Sequence, residues 1–400
     1  MSVLNTDGYG GEKLLTYDFL AISAVSLISG TYSIMLMTTV LLYGNAAGYS
    51  PAAAGLLSSS FAFASLVMRP FTGFLADRFS KKSLCMIGLA GYILAPLAFV
   101  FTKSYLLCLV GCIISGAAMA MTSTASGAIA SEIIPKSRFT EGIGYFGIGM
   151  TVGAAVAPAI GLRLIARLGY GGMFLFSSAI CAAAMALMAS LPYSRYRVSA
   201  PPAQSPAGLK GIVDGMYERS AVFASASTLL ITAAQISVSQ FLPYYAQGKG
   251  VQDVSLFYLI SAVGVLLPRL LGGAMKRMIS DRKLLLMGYV ILAAGYGVLF
   301  LTTPSGGAMV LSAMLYGFGH GASSMALNSM AVIDAAPEKV GAANATYWAA
   351  GDLGFAVAPI AWGVYCGHMQ YGGIYLISAI LVSAALGAFI FRGRKKQEPQ

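Results

Sequence analysis

Two side chains in this sequence carry chemistry that their apolar surroundings do not explain. Asp352 interrupts the stretch WAAGDLGFAVAP, which runs from Trp348 to Pro359, and His320 lies in a glycine-rich apolar stretch. Each lies about 18–21 Å from one end of a predicted helix, at about 1.5 Å per residue. A carboxylate and an imidazole both change charge by binding a proton. The sequence therefore predicts proton binding at Asp352 and His320.

Composition indicates the surroundings of these helices. Hydrophobic residues make up 58% of the 400-residue chain and charged residues only 10%, whereas soluble domains carry about 25% charged residues. Such a chain needs lipid as the solvent for its outer surface. The net charge of +11 is divided among short clusters between apolar runs, which argues against nucleic acid as a partner.

Twelve apolar runs are long enough to cross about 30 Å of hydrocarbon, which takes about 20 residues. The predicted fold class is therefore all-α and integral to a membrane, with twelve transmembrane helices. Their predicted ranges are 19–43, 52–76, 83–101, 105–133, 141–166, 172–192, 220–246, 253–276, 284–303, 306–334, 340–366 and 371–391.

The basic residues predict the orientation. With both termini in the cytoplasm, the inner segments hold nineteen lysines and arginines and the outer segments hold four. Cytoplasmic loops are enriched in these residues, so we expect both termini on the cytoplasmic side, in a bacterial cytoplasmic membrane. The remaining two basic residues, Arg69 and Arg269, lie inside predicted helices, about 10 Å from the inner ends. We expect their long side chains to extend toward water.

The sequence repeats itself at an offset of about 200 residues. GFAVAP (354–359) nearly repeats GAAVAP (153–158), and Arg269 corresponds to Arg69. At an offset of 201, Asp352 corresponds to Thr151, which does not titrate in this range. Duplication is common in transporters. It predicts two six-helix bundles joined by a linker rich in proline, serine and alanine, with boundaries at 1–192, 193–219 and 220–400.

The segment from Gly73 to Lys82 reads GFLADRFSKK. It resembles the motif G-x-L-A-D-R-x-G-R/K of the major facilitator superfamily, with Ser80 in place of a glycine. The resemblance covers all twelve predicted helices and implies alternating access to a central cavity. It also implies a cytoplasmic gate, in which Asp77 binds a helix end or Arg138. The gating residues would be Gly73, Asp77, Arg78 and Arg138, whereas Lys81 and Lys82 are expected to be ordinary loop charges.

A second resemblance lies in the predicted helix 141–166. Gly144, Gly153, Pro158 and Gly161 have the spacing of an antiporter signature, although Ala157 and Leu162 replace two of its glycines. This resemblance implies proton-coupled export of a small organic molecule, either a drug or a metabolite. The alternative for these residues is ordinary packing of a helix rich in glycine and proline.

Two further functions stay open. Cys112 stands where, by the same resemblance, many antiporters have an arginine, which leaves open a metabolite or nutrient symporter or uniporter of the same fold. A non-transporting membrane receptor is less favoured, because the longest loop spans only about 27 residues, too few for a soluble sensor domain.

Asp352 needs a partner or a proton, because a charge at the bilayer centre costs at least about 2.5–3.5 kcal/mol. It should face the cavity, pair with His320 or be protonated, and each of these makes it a candidate proton carrier. The alternative for Asp352 is a structural hydrogen bond to a neighbouring helix. For His320 the alternative is tight packing, which Gly317, Gly319 and Gly321 indicate.

Other polar or aromatic residues are candidates for contact with the substrate, with helix packing or lipid contact as the alternative for each. No cofactor or metal site is expected, because the five cysteines lie in apolar runs without ligand spacing. The chain is not expected to be an enzyme. It is expected to work as a monomer in the lipid bilayer, with a small molecule and protons as its partners. The substrate candidates are Tyr32, Gln235, Gln240, Asn328, Asn344, Tyr347 and Trp348.

Overall fold

The structure is a computed structural model, and all the regular secondary structure in the residues it describes is helical. These residues are 14–78, 80–135, 138–193, 218–251, 253–271, 279–301, 305–333, 335 and 340–395. The first set of helices is α1 (Tyr17–Ala46), α2 (Pro51–Arg78), α3 (Lys81–Leu94), α4 (Leu97–Phe101), α5 (Tyr105–Ile133) and α6 (Phe139–Ser190). After the short 3-10 turn Arg219–Ala221, the second set is α7 (Val222–Gly248), α8 (Ser255–Leu270), α9 (Asp281–Leu301), α10 (Gly306–Ile333), α11 (Val340–His368) and α12 (Gly373–Lys395).

Nine helices in the described part of the chain are long and apolar enough to cross a membrane. One of them, Tyr145–Ser190, covers two predicted spans, because Gly169 breaks α6 with a φ of 68°. That angle lies in the left-handed region, which glycine adopts without steric penalty. The helix α8 is shorter, and α10, which matches the predicted range 306–334, is not among the nine. The all-helical class is thus confirmed, while the count of twelve spans stays a prediction.

Local sequence chemistry sets several helix ends. Ser50 accepts a hydrogen bond from the Ala53 amide at 3.2 Å, and Pro51 begins α2, a position where its missing N–H is not needed. Thr16 accepts from the Phe19 amide at 3.2 Å and begins α1 in the same way. Pro96 separates α3 from α4 within the single predicted span 83–101, because proline has no N–H to continue the helix.

Two hydrophobic cores hold the helices together. One cluster of buried side chains comes mainly from α1–α6 and the other mainly from α7–α12. Leu41, Ala54 and Ala159 join the second cluster, whereas Ala356 joins the first. These four residues mark where the two sets of helices touch. Of the predicted linker 193–219, residues 194–217 lie outside the described residues, so the domain boundaries stay predictions.

The repeat of the sequence recurs in the packing of the helices. Gly116 on α5 lies so close to α2 that a Cβ there would overlap the carbonyl oxygen of Phe61. Gly317 on α10 meets the carbonyl oxygen of Ser261 on α8 in the same way. Gly317 follows Gly116 by 201 positions, and Ser261 follows Phe61 by 200. The same helix crossing therefore occurs in both halves of the repeat. Small residues allow such close approach of two membrane helices.

We expect Gly116→Ala to lower the unfolding temperature of the protein in detergent, because the added methyl group overlaps backbone of α2. Overpacking of this kind costs about 1–3 kcal/mol. The matched control is Gly127→Ala on the same helix, where a Cβ would meet nothing within 4 Å. The control should be neutral or stabilise the helix by about 0.5–1 kcal/mol. Equal unfolding temperatures for the two variants would contradict the close crossing.

Candidate functional site

An ion pair joins the two sets of helices. Arg69 on α2 donates through Nε to Oδ2 of Asp352 on α11, and through Nη2 to Oδ1 at 3.2 Å. The side chains of Arg69 and Asp352 are 24% and 11% exposed. A planar guanidinium that binds both oxygens of a carboxylate makes the strongest kind of side-chain hydrogen bond. The deep carboxylate therefore has a protein partner from the other half of the chain.

The ion pair lies at one end of a long contact between α2 and α11. A Cβ at Gly363 would lie 2.7 Å from the carbonyl oxygen of Pro51, and one at Gly55 would overlap the carbonyl oxygen of Pro359. These contacts lie toward the outer side, meaning the side that the predicted orientation places outside the cell. The two glycines bring the helices together, and the ion pair holds them further inward.

The ion pair corrects one expectation from the sequence. The guanidinium of Arg69 binds the carboxylate of Asp352 instead of extending freely toward water. Of the possible environments for Asp352, the structure shows a charged partner, and that partner is Arg69 rather than His320. A deep basic residue on α2 was visible in the sequence, but nothing there showed that α2 and α11 are neighbours.

His320 lies in the second set of helices, away from the ion pair. Its ring stacks on Tyr316 with the centroids 6.0 Å apart and the planes 14° from parallel. Its Nδ1 is buried and has no hydrogen-bond partner among the described residues. Close contacts of Gly317 and Gly321 with α8 hold this part of α10 in place. The tight packing predicted around His320 is therefore confirmed, while proton binding there stays a prediction.

The substrate candidates on α1 and α7 lie in different surroundings. Tyr32 is fully buried, with its hydroxyl 2.8 Å from Ser115 Oγ and its ring centroid 4.2 Å from that of Tyr92. This environment is the core of the first helix set and does not favour contact with a substrate. Gln240 is 1% exposed, and neither atom of its amide has a hydrogen-bond partner among the described residues. Gln235 is half-buried.

The candidates on α10 and α11 differ in their exposure. Tyr347 is buried and donates a hydrogen bond to the carbonyl oxygen of Ser324 at 3.4 Å. Trp348 is 51% exposed and lies one turn inward of Asp352, with its ring centroid 5.4 Å from that of Tyr347. Asn328 is half-buried, and the side chain of Asn344 lies outside the described residues.

Further contacts between the two sets lie on the outer side. Tyr244 on α7 donates a hydrogen bond to the carbonyl oxygen of Leu41 on α1 at 2.5 Å. Hydrogen bonds from Ser255 hold the pKa of Asp253 below its usual range, and the charge of Arg163 on α6 lowers it further. Asp253 therefore stays ionised at neutral pH beside a cation of the first helix set.

The predicted cytoplasmic gate is only partly described. Gly73, Asp77 and Arg78 belong to α2, but their contacts lie outside the described residues. Arg138 precedes α6, and its amide donates to the carbonyl oxygen of Pro135 at 3.0 Å. Contact between Asp77 and Arg138 therefore stays a prediction.

The two lysines of this loop are more than ordinary loop charges, so that expectation was wrong. Lys81 forms an ion pair with Glu132 at the end of α5, and Glu132 accepts a second hydrogen bond from the Tyr193 hydroxyl at 2.5 Å. Lys82 donates to the carbonyl oxygens of Ala189 and Leu191, both at 2.7 Å. A cation there satisfies carbonyl groups at the end of α6.

The glycines of the second resemblance pack α6 against α1. A Cβ at Gly153 would lie 2.8 Å from the carbonyl oxygen of Leu27, and one at Gly161 would lie 2.8 Å from Thr39. Pro158 lies inside α6, and the surroundings of Gly144 lie outside the described residues. The same packing occurs in the second half, where Gly354 on α11 meets α7. Ordinary helix packing therefore accounts for the described contacts of these glycines.

Among the residues that the structure describes, no three histidine, cysteine, aspartate or glutamate side chains form a group that could hold a metal ion. The five cysteines are buried as free thiols. The site thus consists of buried charges on apolar helices, and it defines an integral membrane protein built from two similarly packed sets of helices.

Comparison with known proteins identifies the family. The model of the Major Facilitator Superfamily matches residues 20–359 and 271–400. The chain belongs to this superfamily of transporters.

Three known proteins illustrate the similarity. An uncharacterised MFS-type transporter of Methanocaldococcus jannaschii is 22% identical over 353 residues, which cover 85% of this chain and 88% of that one. The multidrug resistance protein Stp of Mycobacterium tuberculosis is 29% identical over 148 residues, or 35% of this chain and 27% of Stp. A crystal structure of a mutant nucleoside transporter NupG has a TM-score of 0.79 at 16% identity, covering 93% of this chain and 99% of that one.

We expect Arg69→Gln or Asp352→Asn alone to destabilise the protein by about 2–4 kcal/mol. Removal of one partner from an enclosed ion pair costs about 3–5 kcal/mol, and partial exposure reduces that figure. The double variant Arg69→Gln/Asp352→Asn should lose less stability than the two single variants added together, because no unpaired charge remains. Unfolding temperatures of the four proteins in detergent measure this coupling. Additive losses would show that the two side chains do not interact.

Proposed function

We propose that this transporter exports a small organic molecule, a drug or a metabolite, in exchange for protons. Asp352 is the proton site and Arg69 is its counter-charge. The observation that supports this proposal is the ion pair between α2 and α11, because it links the charge of one carboxylate to a contact between the two sets of helices. The likeness to the multidrug resistance protein Stp supports export of a drug.

The ion pair couples protonation to movement in a simple way. Ionised Asp352 holds Arg69, whereas protonated Asp352 carries no charge and loses the ionic part of that interaction. Hydrogen bonds to charged groups contribute about 1.5–3 kcal/mol. Loss of that amount shifts a two-state equilibrium about 10- to 150-fold. A proton arriving at Asp352 therefore favours separation of α2 from α11, and its release favours their contact.

Alternating access provides the movement that this coupling requires. The bundles 1–192 and 220–400 rock against each other around a central cavity, and the linker 193–219 joins them on the cytoplasmic side. Asp77 and Arg138 close the cytoplasmic side when the cavity faces outward. The protein works as a monomer in a bacterial cytoplasmic membrane, with both termini inside the cell.

A second candidate is a metabolite transporter that works as a symporter or uniporter. The likeness to the structure of the nucleoside transporter NupG supports it. The buried residue Cys112 also supports it, because many antiporters have an arginine at that position. Under this alternative, substrate and proton move in the same direction, or the substrate moves alone.

A pH gradient across purified proteoliposomes distinguishes these functions. Two probes are suitable, the cationic drug ethidium and a radiolabelled nucleoside. Proton-coupled export predicts that an imposed gradient drives the probe against the proton movement and that an uncoupler abolishes this transport. We expect Asp352→Asn to abolish gradient-driven transport while exchange of the probe across the membrane continues, because the amide cannot release a proton.

The matched control is Asp281→Asn, the same change at the start of α9, where the carboxylate accepts a hydrogen bond from Ser329 of the same helix set. This variant should keep gradient-driven transport. Probe movement that is indifferent to the gradient would exclude the antiport proposal and favour a uniporter. Movement of probe and protons in the same direction would favour the symporter. Full gradient-driven transport by Asp352→Asn would remove Asp352 from the coupling.

A further inference from the structure

We propose that Gln240 on α7 and Thr38 on α1 form a binding subsite for a neutral amide group of the transported molecule, in which an N–H and a C=O stand side by side. The ring edge of a nucleobase and a primary carboxamide both carry this group. The subsite rests on the proposed transport function and defines the chemistry of its substrate. The two side chains come from different sets of helices, and both are buried.

Gln240 and Thr38 are enclosed and yet lack hydrogen bonds. Their exposed fractions are 1% and 0%. Both polar atoms of the Gln240 amide and the hydroxyl oxygen of Thr38 have no hydrogen-bond partner among the described residues. Buried polar atoms in proteins almost always have a partner, so these two side chains point to a partner that is not part of the chain.

Thr38 differs from the other threonines of its helix. Thr31 donates to the carbonyl oxygen of Leu27 at 2.8 Å, and Thr39 donates to that of Met35 at 2.7 Å. Bonds of this kind to the preceding turn satisfy a hydroxyl group within a helix. Thr38 forms none within the part of the chain that the structure describes, so its hydroxyl group is available to a molecule between the helices.

The irregular backbone beside Gln240 has a partner of its own. Pro243 lies inside α7, and since proline has no N–H, the carbonyl oxygen of Ser239 lacks its usual helical donor. The hydroxyl group of Tyr258 on α8 donates to the carbonyl oxygen of Val238 at 2.9 Å and to that of Ser239 at 3.5 Å. The amide of Gln240 is therefore not used to complete the backbone of α7, and its donors and acceptor can serve a ligand.

Two contacts indicate that Gln240 and Thr38 lie on the facing sides of α7 and α1. Tyr244, one turn outward of Gln240, donates to the carbonyl oxygen of Leu41 on α1 at 2.5 Å. The side chain of Leu41, one turn outward of Thr38, packs in the core of the second set of helices. Residues three or four apart share one face of a helix. Gln240 and Thr38 therefore lie directly inward of the place where α1 and α7 touch.

Gln240 and Thr38 also lie at the same level of the protein. Each is about 12 Å from the outer end of its helix, at about 1.5 Å per residue. Tyr43 and Tyr245, which follow Thr38 and Gln240 in the two helices, each donate to a backbone carbonyl oxygen of their own set, at 3.1 and 2.9 Å. The two unpartnered side chains thus occupy corresponding places in the two halves of the repeat.

The chemical groups of this pair define the ligand. A glutamine amide donates through Nε2 and accepts through Oε1, and a threonine hydroxyl group does either. A ligand with an N–H beside a C=O pairs with both polar atoms of Gln240 at once, and a further polar atom of the ligand binds Thr38. Neither side chain carries a charge, and an enclosed ion without a counter-charge is costly. The pair therefore suits a neutral group.

The unfolding temperature of the purified protein in detergent measures binding of small probes, because a ligand stabilises the state that binds it. The probes are uracil, which carries the ring form of the amide group, and benzamide, which carries the carboxamide form. Their matched controls, 1,3-dimethyluracil and methyl benzoate, lack the N–H. We expect a saturable rise with uracil, benzamide or both, and none with the controls. A rise with uracil alone identifies a ring amide, and a rise with benzamide alone identifies a primary carboxamide.

We expect Gln240→Met to weaken probe binding about tenfold or more, because two hydrogen bonds are lost, and Thr38→Val to weaken it about threefold or more. The matched controls are Gln247→Met at the exposed end of α7 and Thr39→Val, whose hydroxyl group is bound within α1. Both controls should keep the affinity. Without probe, Gln240→Met should not lower the unfolding temperature, whereas loss of a structural hydrogen bond would lower it.

No saturable response to uracil or benzamide would overturn the proposal, and this is the result expected if Gln240 and Thr38 bind only water. Equal affinity in Gln240→Met and Thr38→Val, or equal binding of the probes that lack the N–H, would also overturn it. If the probes fail to bind while Asp352-dependent transport of ethidium persists, only the subsite falls. If the probes bind as expected but transport ignores the pH gradient, proton coupling falls and the subsite stands.

Discussion

A carboxylate and a guanidinium within an apolar protein each need the other. Asp352 on its own would carry the full penalty of a charge away from water, and so would Arg69. Paired, they satisfy one another across α2 and α11. Because these helices belong to different sets, the pairing of the two side chains constrains the position of one set of helices relative to the other.

This coupling needs firm helix packing on both sides, and the close glycine crossings supply it. At Gly116 and at Gly317 the backbones of neighbouring helices touch, so neither crossing has space to slide or compress. Lys82 binds the end of α6, which adds a polar link within the first set. Forming or breaking the ion pair therefore affects a packed group of helices rather than one side chain.

The proposed function rests on a place where the two halves differ. Both halves have an arginine at the same position of the repeat, yet only the second half has the aspartate, at position 352. Arg69 thus meets a protein carboxylate from the second half, whereas the position of the first half that corresponds to Asp352 is Thr151. A duplicated frame with unequal charges thus has a buried carboxylate at the contact between the two sets of helices, and that carboxylate is the proposed proton site.

The sequence by itself determined the membrane class, the approximate helix ranges, the repeat and the depth of Asp352. These follow from hydrophobicity, spacing and rise per residue, which are local properties of the chain. Ser50 and Pro51 likewise predicted the start of α2. The predicted span 83–101 contains a proline, and its division at Pro96 could have been expected.

Only the tertiary structure decided which side chains meet. Arg69 and Asp352 are separated by 283 positions in the chain, and depth along a helix says nothing about rotation around its axis. For the same reason the sequence did not reveal that Tyr32 faces the core or that Lys82 caps α6. Partners are set by how helices cross, and that crossing depends on the backbone contacts at Gly55, Gly116 and Gly317. These contacts bring together residues that are distant along the chain.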